Sequence, residues 1–230
     1  MKIHWSGKSH NLYDKEKKYL FNMLDKSDNL SQGPELDKFE NSLRNYLGIK
    51  NIFCTSSAAA ALEIISDLLD IKKNDEIIIP AHTYCATAIP FAKKGAKIIW
   101  ADINLQTRTI DINDVRKKIS KNTKAIVIVD LYGYAVDIKP FKKLGKKIKI
   151  IHDCAQSIGA SYLGKKTGVL ADFACYSFHA QKNITTLGEG GAIYVKNNRL
   201  AGAVKGLRHN GHRPYSTKRK HYWKPAMGNL

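Results

Sequence analysis

The chain has 230 residues, with 38 lysines and arginines against 20 aspartates and glutamates, for a formal net charge of +18. Its hydrophobic fraction of 43% and charged fraction of 25% are globular values and exclude a disordered or low-complexity chain. The longest uncharged apolar runs, such as Ala125–Val129, are far too short to cross a bilayer; the lysines are spread in pairs over helix faces without a helix-turn-helix, RNP or finger pattern, so neither a membrane nor a nucleic acid is expected as partner, and a cytoplasmic location is.

No repeat or linker divides the chain, and one large layer is expected. In residues 32–48, Pro34 at a first helical position and Gly48 just past a last one frame a helix. Then short apolar runs rich in β-branched residues alternate with amphipathic stretches. The runs cover 51–55, 76–80, 97–102, 124–130, 147–153, 171–178 and 191–195. Most are continuous rather than alternating, as in strands buried on both faces of a mainly parallel sheet. The helical patterns between them cover 58–70, 83–95, 111–120 and 137–147. This strand–helix alternation predicts an α/β sheet with helices on both faces. Gly164 and Gly168 stand at turn positions and predict a β-hairpin over 162–168. Cys54, Cys85, Cys154 and Cys175 form no C-x-x-C pair and lie in or beside apolar segments, so buried, reduced thiols are expected, with no metal site and no disulfide.

Such sheets bind ligands in the crevice beyond the carboxyl ends of their strands. There the chain places Ser57, the segment Pro80–Tyr84, Asp130, Asp153 with Gln156, and Ser177 followed by Lys182. No Walker sequence or G-x-G-x-x-G follows a strand, so a P-loop or dinucleotide fold lacks its phosphate cradle. Gly188, Gly190 and Gly191 come after Lys182 and before a strand, a placement that suits close backbone approach better than wrapping a phosphate. His82 and His179 are read as structural histidines.

The order D-x-A-Q at Asp153–Gln156, a glycine-turned hairpin, Ser177-Phe178, Lys182 and G-E-G-G at Gly188–Gly191, preceded by "TSSAAAAL", "PAHTYCATA", "ADINLQTRTID" and "LYG", resembles the DegT/DnrJ/EryC1/StrS family of sugar aminotransferases. The likeness runs from about residue 30 to 212. It implies the large three-layer α/β/α domain of fold type I pyridoxal 5'-phosphate (PLP) enzymes, with a mainly parallel mixed sheet. An N-terminal helical segment would occupy about 12–48, the α/β core about 49–212 and an incomplete tail 213–230. Relatives continue with a small C-terminal domain that closes over substrate, and that domain is expected to be missing here.

The resemblance also implies roles. Lys182 would hold PLP covalently through its ε-amine and later carry a proton at the amino donor's α-carbon. Asp153 would keep the pyridine nitrogen protonated, so that the ring accepts electrons. Gln156 would bond the ring hydroxyl and Tyr84 would stack on the ring. Ser177, with Ser57, Ala58 and Ala59 at a helix start, would take the phosphate. Many relatives carry threonine where Ala59 stands, so one hydroxyl contact is expected to be absent. Relatives that dehydrate sugars carry histidine in place of this lysine, and Lys182 therefore implies amino transfer. The implied substrates are a keto-sugar linked to UDP, dTDP or GDP and glutamate as amino donor, which a basic surface suits; a homodimer is implied as well. A cofactor-binding relative with little turnover, and a basic binding module without catalysis, are the alternatives.

Overall fold

A computed structural model of the chain describes residues 13–26 and 33–209, so the tail expected at 213–230 lies outside the described residues. Helix α1 (Asp14–Lys26) buries none of its residues. Helix α2 (Pro34–Leu47) starts and stops as its sequence predicts, with Pro34 in the first turn and Gly48 closing it at φ 67°, a left-handed conformation that glycine adopts without a Cβ penalty. Its Glu40 is 2% exposed and takes the N–H of Cys54 at 2.9 Å, the Arg44 guanidinium at 2.9 Å and the Arg208 guanidinium. That buried carboxylate ties α2 to the strand beginning at Ile52.

The strands are β1 (Ile52–Thr55), β2 (Glu76–Pro80), β3 (Lys97–Ala101), β4 (Thr123–Val129), β5 (Lys149–Asp153), β6 (Ser161–Tyr162), β7 (Lys165–Lys166), β8 (Phe173–Ser177) and β9 (Gly191–Val195). Seven of them make one sheet in the order β1-β9-β8-β5-β4-β2-β3. Neighbours pair in parallel from β8 through β5, β4 and β2 to β3. Only β9 runs against its neighbours, β8 and β1, which makes the sheet mixed. The predicted hairpin is β6–β7, turning through Leu163 at φ 46° and Gly164 at φ 72°. Two positive φ angles in a two-residue loop match the right-handed strand twist.

Helices α3 (Ala58–Leu68), α4 (Ile89–Lys93), α5 (Ile112–Lys118), α6 (Lys139–Lys142) and α7 (Ala201–Leu207) cover the faces. Ile77, Ile79, Val127, Ile151 and Ile193 pack on one side with Leu62 and Ile65 of α3, Phe91 of α4 and Val204 of α7. The alternate residues Ile78, Ile126, Ile128 and Ile150 pack on the other with Val115 of α5 and Phe141 of α6. Farther along that second face, Ile52, Ala174, Tyr176 and Ala192 meet Leu43 and Leu47 of α2. Each branched or aromatic side chain so buried contributes about 1.5–3 kcal/mol, and the continuous apolar runs follow from burial on both faces.

Two predicted helices are shorter than their patterns. The stretch 83–95 divides into a 3₁₀ turn at Cys85–Thr87 and α4, because Pro90 lacks the N–H that would carry a helix on from the preceding turn. Only Lys139–Lys142 of 137–147 is helical; Pro140 confines the start, and the lysine-rich end has little apolar surface to bury. Helix α7 was not predicted from its sequence, in which Gly202 and Gly206 mask a weak apolar face.

Cys154 and Cys175 are buried, Cys54 is intermediate and Cys85 is exposed; the expectation of four buried thiols therefore fails at Cys85, which the 3₁₀ turn holds outward. Burial, and next the charge of Glu40, push the Cys54 thiol up to about 12. Because the thiolate is the reactive form, iodoacetamide at about pH 8 should label Cys85 while Cys54, Cys154 and Cys175 wait for unfolding. Peptide mass spectrometry of the native protein checks this, and labelling of Cys54 as fast as Cys85 would contradict the burial.

Candidate active site

The shared strand direction brings the carboxyl ends of β1, β2, β4, β5 and β8 to one edge, where they surround an open cleft of about 630 Å³. All eight residues singled out in the sequence line it: Ser57, Ala58, Ala59, Tyr84, Asp153, Gln156, Ser177 and Lys182.

Asp153 ends β5 and is 6% exposed. Its Oδ1 accepts the Ala155 N–H at 3.1 Å, and its Oδ2 accepts the Thr87 hydroxyl at 2.9 Å. One turn on, Gln156 Oε1 accepts the Tyr132 N–H at 2.7 Å, which leaves the amide NH₂ as a donor. Tyr132 itself sits at φ 55°, a strained setting for a non-glycine residue and one found at functional sites. Its exposed ring meets His82 edge-on at 6.1 Å.

Helix α3 begins at the mouth of β1. Ser57 is its N-cap, extended at φ −165° with its Oγ accepting the Ala60 N–H, so the N–H groups of Ala58 and Ala59 precede the first intrahelical bond. These free donors and the helix dipole form an anion-binding end. The start of β9 packs directly on this end: a Cβ on Gly191 would clash with the backbone of Ser57 and Ala58. The requirement for glycine there is close approach, as the sequence suggested.

Lys182 lies in the turn between the antiparallel β8 and β9, half-buried, with its N–H on the His179 carbonyl at 2.9 Å. Bonds from Phe178 N to Gly190 O and from Ala180 N to Gly188 O, both 2.8 Å, fold the segment back over the cleft. Ser177 is 7% exposed, and Tyr84 stands at the rim, 71% exposed. His179 lines the cleft; its Nδ1 accepts the Gln181 N–H at 3.2 Å, and its Nε2 lies 3.5 Å from Glu189 Oε1. Thr83, Thr87 and Glu189 also line the cleft and were not singled out in the sequence. The spacing of the two threonines within "HTYCAT" was the available signal, but only a helical turn there brings them together.

Behind the cleft, Asp130, His152 and Cys154 lie close enough to suggest a metal trio. The hydrogen bonds argue otherwise. Gly168 N–H donates to His152 Nδ1 at 3.1 Å, which puts the ring proton on Nε2, 2.8 Å from Asp130 Oδ1. That approach is too oblique for a well-aligned hydrogen bond. With Nδ1 accepting the Gly168 N–H and the ring proton on Nε2, no lone pair is left for an ion. Burial, then Asp130, also raises the Cys154 thiol well above its ordinary value, away from the thiolate a metal needs.

The donor set of the cleft is thus an amine, a buried carboxylate, a helix N-terminus beside a serine hydroxyl, and an aromatic rim. The sequence profile of the DegT/DnrJ/EryC1/StrS aminotransferase family matches residues 11–229. The chain belongs to that family. GDP-perosamine synthase of Vibrio cholerae, a curated relative, is 32% identical over 210 residues, 90% of this chain and 56% of that protein. Among solved structures, Helicobacter pylori PseC, an aminotransferase involved in the biosynthesis of pseudoaminic acid, superposes with a TM-score of 0.85 at 30% identity, covering 94% of this chain and 59% of that one. The E. coli GDP-4-keto-6-deoxy-D-mannose-3-dehydratase with bound hydrated PLP gives 0.85 at 26%, covering 92% and 56%. The chain spans about half the length of the curated relatives it matches. As in the structures of this family, the described residues have the fold type I α/β arrangement with its mixed, mainly parallel sheet.

Replacing Gly191 by alanine should cost about 1–3 kcal/mol through the backbone clash. Gly202→Ala in α7, which has open space, should instead gain about 0.5–1 kcal/mol. Urea unfolding of the two variants checks the contrast, and a Gly191→Ala protein as stable as the wild type would remove the close approach.

Proposed function

We propose that the chain is the cofactor-binding part of a PLP-dependent aminotransferase, moving an amino group from glutamate onto a nucleotide-linked keto-sugar for amino-sugar and cell-surface polysaccharide synthesis. The observation that carries this is the meeting of Lys182, Asp153 and the α3 N-terminus in one cleft. The residues fit the group: an amine for its aldehyde, an acid for its ring nitrogen and N–H donors for its phosphate. PLP, when bound, supplies a reactive aldehyde and an electron-accepting ring.

The roles proposed for the chain's own groups are these. Lys182 holds the cofactor and moves the proton at the donor's α-carbon. Asp153 holds a proton on the ring nitrogen. The amide of Gln156 donates to the ring hydroxyl, Tyr84 covers a ring face, and Ser177 with Ser57, Ala58 and Ala59 binds the phosphate. At Ala59 no side-chain hydroxyl is available, so backbone N–H groups carry that share. Lys182 at its position favours amino transfer over the dehydration that the E. coli neighbour's name describes.

The names of the relatives support a nucleotide sugar as substrate, and the excess positive charge suits one. The single sheet supports treating residues 49–209 as one cofactor-binding unit. Tyr84, Tyr132 and Leu187, all exposed, stand on the loops that frame the cleft; a second copy of the chain laid over them would bury apolar surface and shield the cleft from water, which supports a homodimer. No described helix is long and apolar enough to cross a membrane, and the cytoplasm is the proposed location.

Incubation with PLP followed by borohydride should add one pyridoxyl phosphate to the peptide containing Lys182, and Lys182→Ala should abolish the adduct and its visible colour. Retention of both by the variant would refute the assignment. In an assay of amino transfer from glutamate to a keto-sugar nucleotide, Asp153→Asn should keep the cofactor but lower the rate about a hundredfold or more; a near-normal rate would remove the role given to Asp153, and a wild-type protein that takes up PLP without transfer would favour a binding relative.

A further inference from the structure

Thr87 is 1% exposed and donates its hydroxyl proton to Asp153 Oδ2 at 2.9 Å. Its oxygen lies 2.8 Å from the Thr83 hydroxyl. A hydroxyl has a single proton, and that of Thr87 is committed to the carboxylate, so Thr83 is the donor in the second contact. The chain of bonds therefore runs one way, from Thr83 through Thr87 to Asp153. The other carboxylate oxygen is held by Ala155 N–H at 3.1 Å. Two donors on different elements, the turn after β2 and the turn after β5, grip the two oxygens, and the carboxyl group cannot rotate without breaking one bond. Asp153 still lines the cleft, and a carboxylate accepts more bonds than these two. The Thr87 N–H also closes the turn onto the Tyr84 carbonyl at 3.0 Å, so one short turn carries both the rim aromatic and the hydroxyl that grips the acid on the floor.

We infer that Thr87, backed by Thr83, is a positioning residue: it fixes the plane of the Asp153 carboxylate so that a protonated ring nitrogen in the cleft is met by an aimed acceptor. The inference rests on the reading of Asp153 given above. The Thr87 hydroxyl proton is spent on Asp153, so its removal should weaken recognition of the ring nitrogen and leave recognition of the phosphate intact.

The test compares two reversible ligands, pyridoxamine 5'-phosphate and its analogue with carbon in place of the ring nitrogen, by isothermal titration of wild type, Thr87→Val, Thr87→Ser and Thr83→Val. Thr87→Val should bind pyridoxamine 5'-phosphate about tenfold or more weakly, since a bond to a charged acceptor is lost, with binding of the carbon analogue changed by no more than about twofold. Thr87→Ser, which keeps the hydroxyl, should recover most of the difference, and Thr83→Val should show a smaller loss with the same selectivity. Equal weakening of both ligands would mean a merely structural role and would overturn the inference, as would no change in either. Should Thr87→Val fail to fold, the half-buried Thr83 and the serine variant decide it: absence of a selective loss in Thr83→Val overturns the relay. A wild-type protein that binds neither ligand overturns the cofactor reading and the inference with it, whereas one that binds the first more tightly, with variants that behave alike, overturns the relay alone.

Discussion

Strand direction governs this molecule. Every strand of the main sheet except β9 points the same way, so the chain must turn at one edge after each of them. A strand that ends gives up its ladder bonds, and its last residues can then aim side chains at a common space instead of into the core. Asp153, Ser177 and Ser57 come from β5, β8 and the end of β1, far apart in sequence, yet they line one cleft. The single reversed strand supplies what parallel strands cannot. The antiparallel pairing of β8 with β9 lets the chain leave at Ser177, loop over the cleft with Lys182, and return at Gly191 against the start of α3.

The same edge has to keep charge in a buried setting, and it does so by giving each carboxylate its own donors. Asp153 faces the cleft, with donors from Thr87 and Ala155. Asp130, 0% exposed, takes the Ser157 hydroxyl at 3.0 Å and the Val136 N–H at 3.0 Å, with His152 beside it. Ser157 is followed through Thr167 to the hairpin that ends at Gly168. An unpaired buried carboxylate would be costly; here each one is also an anchor. The Asp130 network fixes the turn that follows β5, and that turn carries Gln156.

The strands and the identity of the cleft residues were legible because each signal is local. Continuous apolar runs report burial on both faces, and Asp153, Gln156, Ser177 and Lys182 sit at fixed short distances from strand ends. The helices were less so: Pro90 and Pro140 cut two patterns that look continuous by periodicity alone, and α7 is held by Val204 in the core rather than by propensity. Least legible were the contacts that need three dimensions. Nothing in "HTYCAT" says that Thr87 lies against Asp153, 66 residues away, because that depends on β2 and β5 flanking β4. Cys85 illustrates the converse, since its apolar surroundings suggested burial and a 3₁₀ turn turned it outward.

The cleft is also divided by rigidity. Its floor is made of the buried, hydrogen-bonded Asp153, Thr87 and Ser177, beside the half-buried start of α3. Its rim is made of exposed side chains, Tyr84 and Tyr132 among them, together with the half-open pair His179 and Glu189. In the proposed function, a fixed floor suits the part of the chemistry that does not vary, which would be to hold one ring, one phosphate and one proton in register. An exposed rim can change without disturbing the core, since loop substitutions there break no ladder and bury no new charge. Relatives named for GDP-, UDP- and dTDP-linked sugars are what such a division allows. Under the proposed function, sugar choice would be set at the rim and by whatever is laid across it, while the acid and the amine stay where the sheet puts them.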